Sequence, residues 1–388
     1  MRFHKIICGK AGVLICIGIC LMNILFCAKE DEMEFIDIRK LKHSFEKVVV
    51  QNQGYFPVIL GLTENEVVVV LRGGAPHIGV EGRLDIVRSL DGGKTWSTPR
   101  VVVDSEKDDR NPALGIASDG TLVLGYHWQA GYDANGKWNP GPYKQDTKLT
   151  RSHDRGRTWE EPFFLNIKIQ RGNSPFGKIF QDSAGVLYMP IYGAKNPESG
   201  VRIPFDTTYS FLLTSKDYGR TWDEVIEVAK GLNEADYLIL PNGEWLCAAR
   251  SQKRDEQAIY VCRSKDHGRT WSEPVRVTEV REHPPDLVRL SDGTILLNFG
   301  VRHEPYSIQG MISRDGGHTW LKTRLLLADD LPGTDIGYPS TVRLRNGRLI
   351  TVYYRSGSKE NPGDGTNAAC IAVCYDEKIL LEALKHRE

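Results

Sequence analysis

Neither sign of charge is in excess in this chain, since 50 lysines and arginines balance 50 aspartates and glutamates. A nucleic-acid-binding surface needs an excess of basic residues to neutralise phosphates, so the balance argues against a nucleic-acid partner. Long apolar runs are absent after residue 27, and weak helical periodicity is confined to the last nine residues. With 38 glycines, 19 prolines and 8 tryptophans, the composition instead favours an all-β protein with many turns.

Cysteines are scarce in the chain after residue 27. Four of the eight lie in or end the N-terminal segment, and the other four are Cys247, Cys262, Cys370 and Cys374. These four lack the paired spacing of a zinc site and lie in strand-like runs, so we predict no metal and no cofactor. We interpret them as small buried residues, and a cross-strand disulfide between Cys247 and Cys262 remains an open alternative.

Residues 1–27 have the pattern of a secretory signal: three basic residues, then an apolar run from Ala11 to Phe26. Sixteen residues are too few for a membrane span of about 20, but they suit the apolar core of a signal peptide. Cys27 follows the run as in bacterial lipoprotein signals, although Phe26 stands where that pattern has a small residue. We therefore expect export to the periplasm or cell surface. Both lipid anchoring through Cys27 and its role as one more apolar leader residue remain open.

One eight-residue pattern, Ser-x-Asp-x-Gly-x-Thr-Trp, recurs five times, at residues 89–96, 152–159, 215–222, 264–271 and 313–320. Each copy follows a short β-rich run. Serine and aspartate side chains satisfy turn amides, glycine supplies an unusual backbone angle, and tryptophan packs the turn onto its neighbour. We call this element the Ser-Asp turn and interpret it as structural, because five copies cannot be five active sites.

A second repeat lies out of phase with the first and consists of a strand, a two-residue turn and another apolar strand. Its six turns are Glu64-Asn65, Asp119-Gly120, Ala184-Gly185, Asn242-Gly243, Asp292-Gly293 and Asn346-Gly347. Six units of roughly 60 residues each fit four antiparallel strands. We therefore predict that residues 28–388 form a single six-bladed β-propeller, closed by the last strand against residues 35–50, and that the protein is a monomer.

The residues that enter and leave the six hairpins should crowd one mouth of the propeller channel. This alignment brings five arginines around Glu234 and Tyr338: Arg72, Arg110, Arg250, Arg302 and Arg355. Arginine offers planar, bidentate donors for a carboxylate, so an arginine-lined mouth implies an anionic ligand. The alternative for any one arginine is an ion pair at the rim.

The Ser-Asp turns resemble the Asp boxes of the sialidase (neuraminidase) superfamily, and the resemblance covers nearly the whole chain after the leader. It implies a six-bladed propeller in which three arginines hold the substrate carboxylate, a tyrosine paired with a glutamate is the nucleophile, and an aspartate is the acid/base. The segment NEADYLILPNGEWLCAARS is similar to the family's glutamate and second-arginine segment, which implies roles for Glu234 and Arg250. By the same resemblance, Arg302 would be the third arginine and Tyr338 the nucleophile.

Two positions depart from the family pattern. The family's first arginine belongs to an Arg-Ile-Pro that enters the first blade, and that place reads Tyr55-Phe56-Pro57 here, where Phe56 cannot hold a carboxylate. The one Arg-Ile-Pro in the sequence, at residues 202–204, lies between the second and third Ser-Asp turns. The acid/base segment RGGAPHIGVEGR has no aspartate, so His77 and Glu81 are its only proton carriers. Histidine suits the role because its unperturbed pKa of about 6.5 lies near working pH. Arg110 or Arg72 would replace the missing arginine.

These observations predict an exported glycoside hydrolase that removes a terminal acidic sugar, either sialic acid or a uronic or related acid. Tyr338, Glu234 and His77 would be catalytic, but each also has a structural interpretation as a packed turn residue, a rim ion pair or a solvated loop residue. Two other functions stay open: a non-catalytic propeller that binds acidic glycans, and a polysaccharide lyase in which Tyr338 and His77 abstract a proton beside a uronate carboxylate.

Overall fold

Twenty-seven strands in six separate sheets account for about half of the residues that the structure describes. The structure is a computed structural model that describes residues 33–139, 145–167, 171–194, 208–362 and 364–387. Residues 1–27 and 202–204 lie outside the described residues, so the signal peptide and its lipidation stay predictions. Within the described ranges, no helix combines the length and apolar character needed to cross a membrane.

The first half of the chain supplies two N-terminal strands and three sheets. The N-terminal strands are β1 (Phe35–Asp37) and β2 (Phe45–Gln51). The first sheet consists of β3 (Tyr55–Gly61), β4 (Val67–Gly73), β5 (Arg83–Ser89) and β6 (Arg100–Val103). The second consists of β7 (Asp108–Ile116), β8 (Leu122–Gln129), β9 (Gln145–Ser152) and β10 (Phe163–Phe164). The third contains β11 (Arg171–Pro175), then β12 (Gly177–Lys178), which pairs with β7 of the second sheet, β13 (Phe180–Gln181), β14 (Leu187–Ala194), β15 (Thr208–Ser215) and β16 (Glu224–Lys230).

The second half supplies three further sheets and the helix. The fourth sheet is β17 (Leu232–Ile239), β18 (Trp245–Ser251), β19 (Ile259–Ser264) and β20 (Val275–Arg276). The fifth is β21 (Asp286–Arg289), β22 (Ile295–Val301), β23 (Ser307–Ser313) and β24 (Arg324–Ala328). The sixth is β25 (Ile336–Arg343), β26 (Arg348–Arg355) and β27 (Ala369–Asp376), and helix α1 (Glu377–Leu384) follows it.

The six sheets are the blades of a propeller, as the repeats predict, and the N-terminal strands complete its last two blades. Strand β2 pairs antiparallel with β27, with Phe45 opposite Cys374, so that the first and last strands of the sixth blade come from opposite ends of the chain. Strand β1 adds to the fifth blade by pairing in parallel with β24. The ring is therefore closed by hydrogen bonds between strands of high sequence separation, and the expected closure against residues 35–50 is confirmed.

The Ser-Asp turns have the structural role that the repeat predicts. In the first copy, Ser89 Oγ donates to Asp91 Oδ1 at 2.8 Å, the amide of Thr95 donates to Asp91 Oδ1 at 2.9 Å, and the Gly93 amide donates to Ser89 Oγ at 2.8 Å. Gly93 has a φ of +88°, and a Cβ there would lie 2.7 Å from Cys374 Sγ of the sixth blade. Only glycine combines that backbone angle with such a close approach.

Six apolar clusters fill the spaces between adjacent blades, and the tryptophans of the Ser-Asp turns pack against five of them. The sixth blade has no Ser-Asp turn. In the cluster between the fifth and sixth blades, Leu380 and Leu384 of α1 are buried instead, together with Ile36 and Ile38 of the N-terminal segment. The count of six hairpins but five Ser-Asp turns thus has a packing explanation: a helix covers the interface that lacks a tryptophan.

The four cysteines of the propeller are buried free thiols. Cys247 and Cys262 lie directly opposite each other on β18 and β19. Burial raises the pKa of the Cys247 thiol well above its usual value. The structure therefore agrees with the interpretation of these residues as small buried side chains, and it contains no disulfide between Cys247 and Cys262.

Candidate active site

The innermost strands of four blades carry a bulge at the mouth of the channel. At each bulge one residue other than glycine has a left-handed backbone, with φ values of 52° for Phe56, 48° for Asn111, 44° for Glu234 and 50° for Tyr338. The strand register shifts at each of these positions. A bulge bends its strand and re-aims a side chain, and backbone strain of this kind concentrates at functional sites. Four blades thus use the same local distortion to bring four different side chains into one cluster.

Tyr338 and Glu234 meet at the centre of this mouth. The phenol of Tyr338 donates a 2.6 Å hydrogen bond to Glu234 Oε1, and both residues are buried. Burial, and next the charge of Glu234, raise the pKa of Tyr338 far above its usual value, so the phenol is neutral. The tyrosine can therefore become a nucleophile only as its proton passes to a base, and Glu234 is in hydrogen-bond contact to accept it.

Arg250 holds Glu234 in place from the neighbouring strand. Its Nη1 lies 2.8 Å from Glu234 Oε2, and its Nε donates to Asn233 Oδ1 at 2.9 Å. The pair follows from the register of β17 and β18, in which Asn233 stands opposite Arg250. Because part of its guanidinium is engaged by Glu234, Arg250 orients the base as well as offering its remaining N–H groups to a ligand.

Arg302 has donors that no described protein group accepts. Its Nε and Nη2 atoms are buried without a hydrogen-bond partner, and its guanidinium carbon lies 5.3 Å from the centre of the Tyr338 ring. Nδ1 of His283 is likewise buried without a partner. Burial, with the charges of Arg302 and Arg250, lowers the pKa of His283 well below its usual value. Buried donors without partners are costly, so a ligand with acceptor oxygens would satisfy this corner of the site.

Arg110 lies on the other side of the aromatic floor of the site, which is formed by the buried rings of Tyr55, Phe56, Phe176, Tyr338 and Tyr354. Its guanidinium carbon is 5.2 Å from the centre of the Phe56 ring, and the Phe56 and Tyr338 rings are 4.9 Å apart. Its contacts with Asp108 Oδ2 at 3.4 Å and Asn111 Oδ1 at 3.5 Å are long. Arg110 therefore remains able to bind an anion, whereas Phe56 contributes only an apolar ring to this side of the site.

Arg72 does not have the binding role expected for it. It is fully buried, and all five of its N–H donors are used within the protein. Nε and Nη2 donate to Asp108 Oδ1 at 2.9 and 2.8 Å, and the other donors reach the carbonyls of Ala75, Pro76 and Gly79. Arg72 is thus a scaffold for the loop that carries His77, which corrects the expectation that it contacts substrate.

The same loop is held from a second direction. Tyr132 donates its phenol proton to Asp108 Oδ2 at 2.5 Å and accepts from the Gly79 amide at 3.1 Å. Gly82 ends the loop, where a Cβ would lie 2.0 Å from Asp108 Oδ1. A buried network of Arg72, Asp108 and Tyr132 therefore supports the backbone on both sides of His77.

His77 stands above the aromatic floor beside Phe56, with ring centres 5.0 Å apart. Its Nδ1 is 2.7 Å from Asp335 Oδ1, and the phenol of Tyr354 donates to the same oxygen at 2.7 Å. Burial lowers the pKa of His77 below its usual value, while Asp335 opposes that effect. Phe56 contacts both the His77 and Tyr338 rings, so the histidine and the tyrosine flank one aromatic side chain.

Lys178 closes the floor of the channel and is not available to a substrate. Its ammonium lies 3.0 Å from Asp236 Oδ2 and 2.6 Å from Asp286 Oδ1, and it donates to the Leu287 carbonyl at 2.8 Å. These ion pairs raise the pKa of Lys178 in spite of its burial. Within the described ranges, no group of three or more histidine, cysteine, aspartate or glutamate residues is placed to hold a metal ion.

Two contributors to the site were not among the candidates chosen from the sequence. Asp335 lies three residues before Tyr338, and its only sequence signal is that proximity. Asn111, at the bulge of the second blade, donates to Ser174 Oγ at 2.9 Å and to Tyr192 Oη at 3.2 Å. The Asn-Pro that aligns with Phe56-Pro57 and Tyr338-Pro339 marked its position but not its contacts. Glu81 in turn has no described contact with this cluster through its side chain.

The BNR repeat-like domain family matches residues 72–351, and the chain belongs to this family of the sialidase superfamily. A sialidase of Bacteroides fragilis is 25% identical over 281 residues, which are 71% of this chain. The chain spans only 39% of that relative's length.

Solved structures share the fold. A Dyadobacter fermentans protein of unknown function has a TM-score of 0.70 at 22% identity, over 86% of this chain and 98% of its own. A Hadza microbial sialidase has a TM-score of 0.64 at 20% identity, over 84% of this chain and 66% of its own. The intramolecular trans-sialidase of Ruminococcus gnavus, in complex with oseltamivir carboxylate, has a TM-score of 0.62 at 15% identity, over 86% and 97%. At these identities the likeness establishes a common architecture.

Proposed function

We propose that this protein is a glycoside hydrolase of the sialidase type, which removes a terminal acidic sugar from a glycan. The observation that carries the proposal is the 2.6 Å hydrogen bond from the Tyr338 phenol to Glu234. A neutral phenol does not repel an anionic substrate as a carboxylate nucleophile would, and sialidases with a tyrosine nucleophile are known exceptions to the two-carboxylate mechanism.

In the first half of the proposed reaction, Tyr338 Oη attacks the anomeric carbon while its proton passes to Glu234 Oε1. The glycosidic bond breaks, and the imidazolium form of His77 donates a proton to the departing oxygen. In the second half, neutral His77 takes a proton from water, and the resulting hydroxide attacks the anomeric carbon. The bond to Tyr338 then breaks and the phenol recovers its proton from Glu234, so the enzyme returns to its starting state.

Arg302 is the main carboxylate-binding residue in this proposal. Its buried Nε and Nη2 atoms have no described protein partner, so a substrate carboxylate would satisfy them. Arg250 would add its remaining donors, and Arg110 would approach from the far side of Phe56. Because Phe56 replaces one arginine, the substrate class includes uronic and related acids alongside sialic acid.

A product assay tests the proposed reaction. Purified protein is incubated with defined glycans that end in sialic acid or in a uronic acid, and released sugars are separated by chromatography. Release of a free acidic sugar supports hydrolysis, whereas an unsaturated product that absorbs in the near ultraviolet would identify a lyase. Binding of these glycans without turnover would identify the non-catalytic propeller, the alternative that the loss of one arginine at Phe56 favours.

We also propose that residues 1–27 direct export, with Cys27 as a lipid attachment site. The support is the basic and apolar pattern of these residues. Fractionation of cells that express the full chain, compared with a Cys27→Ala variant, tests the anchor. A membrane-associated wild type and a released variant are expected, and equal distribution of the two would contradict lipidation.

A further inference from the structure

Asp335 is a carboxylate at the mouth that the proposed reaction does not use. It lies just before β25 in the sixth blade, whereas His77 lies in the loop between β4 and β5 of the first blade. Oδ1 of Asp335 is 2.7 Å from His77 Nδ1 and also accepts the phenol proton of Tyr354 at 2.7 Å. The contact joins two blades and fixes one of the two ring nitrogens of His77.

We propose that Asp335 is a positioning residue that holds His77 in the Nδ1–H tautomer and leaves Nε2 for the reacting atoms, so that the acid/base is an Asp–His pair. This inference rests on the role of His77 in the proposed function. An ionised carboxylate can only accept hydrogen bonds, so the proton between Asp335 and His77 belongs to Nδ1. The other nitrogen, Nε2, then carries the lone pair or the transferable proton.

The surroundings of Asp335 favour its ionised form. Burial alone would raise its pKa, but the hydrogen bond and charge of His77, with the hydrogen bond from Tyr354 and the charge of Arg302, outweigh burial and hold the pKa of Asp335 below its usual value. Burial raises the pKa of Tyr354 far above its usual value, so this phenol remains a donor. Asp335 therefore accepts two hydrogen bonds as a carboxylate.

The groups that face His77 explain why it needs this partner. The rings of Tyr55, Phe56 and Tyr354 surround it, with centres 5.7, 5.0 and 6.4 Å away. Burial, together with the charges of Arg110 and Arg302, disfavours the imidazolium, and Asp335 is the group that opposes them. Without that carboxylate, less of the histidine would be charged and able to protonate a departing oxygen at a given pH.

Nitrogen NMR tests the tautomer without any need for turnover. Protein with 15N-labelled histidine is compared with Asp335→Asn, and the His77 signals are assigned by their loss in His77→Gln. We expect a neutral His77 protonated on Nδ1 in the wild type and a shift toward Nε2–H in Asp335→Asn, whose amide can donate to Nδ1. A wild-type His77 protonated on Nε2, or a tautomer that the substitution leaves unchanged, would overturn the proposal.

Kinetics test the consequence for acid catalysis. Two substrates share one sugar: the 4-methylumbelliferyl glycoside of N-acetylneuraminic acid, whose leaving group needs little protonation, and 3′-sialyllactose, whose alcohol needs an acid. For Asp335→Asn we expect kcat to fall about 100-fold on the lactoside and less than about 10-fold on the aryl glycoside. The alkaline limb of kcat/KM should also move to lower pH.

The matched control is Asp329→Asn, the same chemical change at a half-exposed carboxylate that pairs with Arg39 away from the site. It should leave both substrates and the pH profile unchanged. Equal losses on both substrates with an unmoved limb would overturn the role of Asp335. Failure of the wild type to cleave either substrate would instead exclude sialic acid from the substrate class of the proposed function, and the NMR result would still decide the tautomer.

Discussion

The two ends of the propeller blades differ in how closely they follow the repeat. At the Ser-Asp turns, five blades use the same contacts among a serine, an aspartate and a glycine, and these three residues recur at the same spacing in every copy. At the mouth, the bulges share a backbone conformation but carry phenylalanine, asparagine, glutamate and tyrosine. The repeated end stabilises each blade, whereas chemistry requires different groups at one point. Divergence within a repeat is therefore the better guide to function.

The largest loss of activity is expected at the mouth, on removal of a single atom, the phenol oxygen of Tyr338. Tyr338→Phe removes the proposed nucleophile but keeps the ring packing with Phe56, so kcat should fall about 1000-fold or more while the melting temperature changes little. Turnover of an aryl glycoside of an acidic sugar measures the loss. Tyr260→Phe, on β19 of the fourth blade, is the matched control, and equal activity of Tyr338→Phe and wild type would contradict the nucleophile.

A smaller loss is expected at the arginine with unpartnered donors. Arg302→Ala should lower kcat/KM by about 10- to 100-fold, the worth of charge-assisted hydrogen bonds to a carboxylate. Arg302→Lys should recover part of the loss, since it keeps the charge but not the planar fork. Arg345→Ala, in an exposed turn of the sixth blade, should have no effect. An unchanged kcat/KM in Arg302→Ala would show that the carboxylate binds elsewhere.

The pH profile of the wild type distinguishes the two ends in another way. His77 must be protonated to act as an acid, and its pKa is lowered, first by burial. Activity on an alkyl glycoside should therefore decline as pH rises, with a midpoint below about 6.5. In contrast, hydrogen bonds within the Ser-Asp turn lower the pKa of Asp91 to about 2, so it stays ionised across this range. A midpoint well above 6.5 would exclude His77 as the acid.

The sequence predicted the repeated end more completely than the mouth, because the information there is local. Ser89, Asp91 and Gly93 contact one another within a single turn, so their spacing is enough. Arg72 illustrates the opposite case, since its position in the hairpin alignment was correct but its five donors are used by carbonyls and by Asp108. Asp335 and His77 are 258 residues apart, and only closure of the ring brings them together. The hydrogen-bond partners of Arg72 and His77 are set by contacts between distant parts of the folded chain, so the sequence alone did not predict them.

The smallest effect is expected at the repeated end, and it should appear in stability alone. Asp91 accepts hydrogen bonds from Ser89 Oγ, the amides of Lys94 and Thr95, and Thr95 Oγ1. By analogy with side-chain caps of helices, Asp91→Ala should lower the free energy of unfolding by about 1–2 kcal/mol. Denaturant titration measures the loss, and Asp104→Ala, at an exposed aspartate, should change the free energy of unfolding by less than about 0.5 kcal/mol.

Since the turn has no contact with Tyr338 or Glu234, kcat/KM of the folded Asp91→Ala variant should equal that of the wild type. A kinetic defect without loss of stability would mean that a Ser-Asp turn contributes to the chemistry, and the division between the two ends would fail.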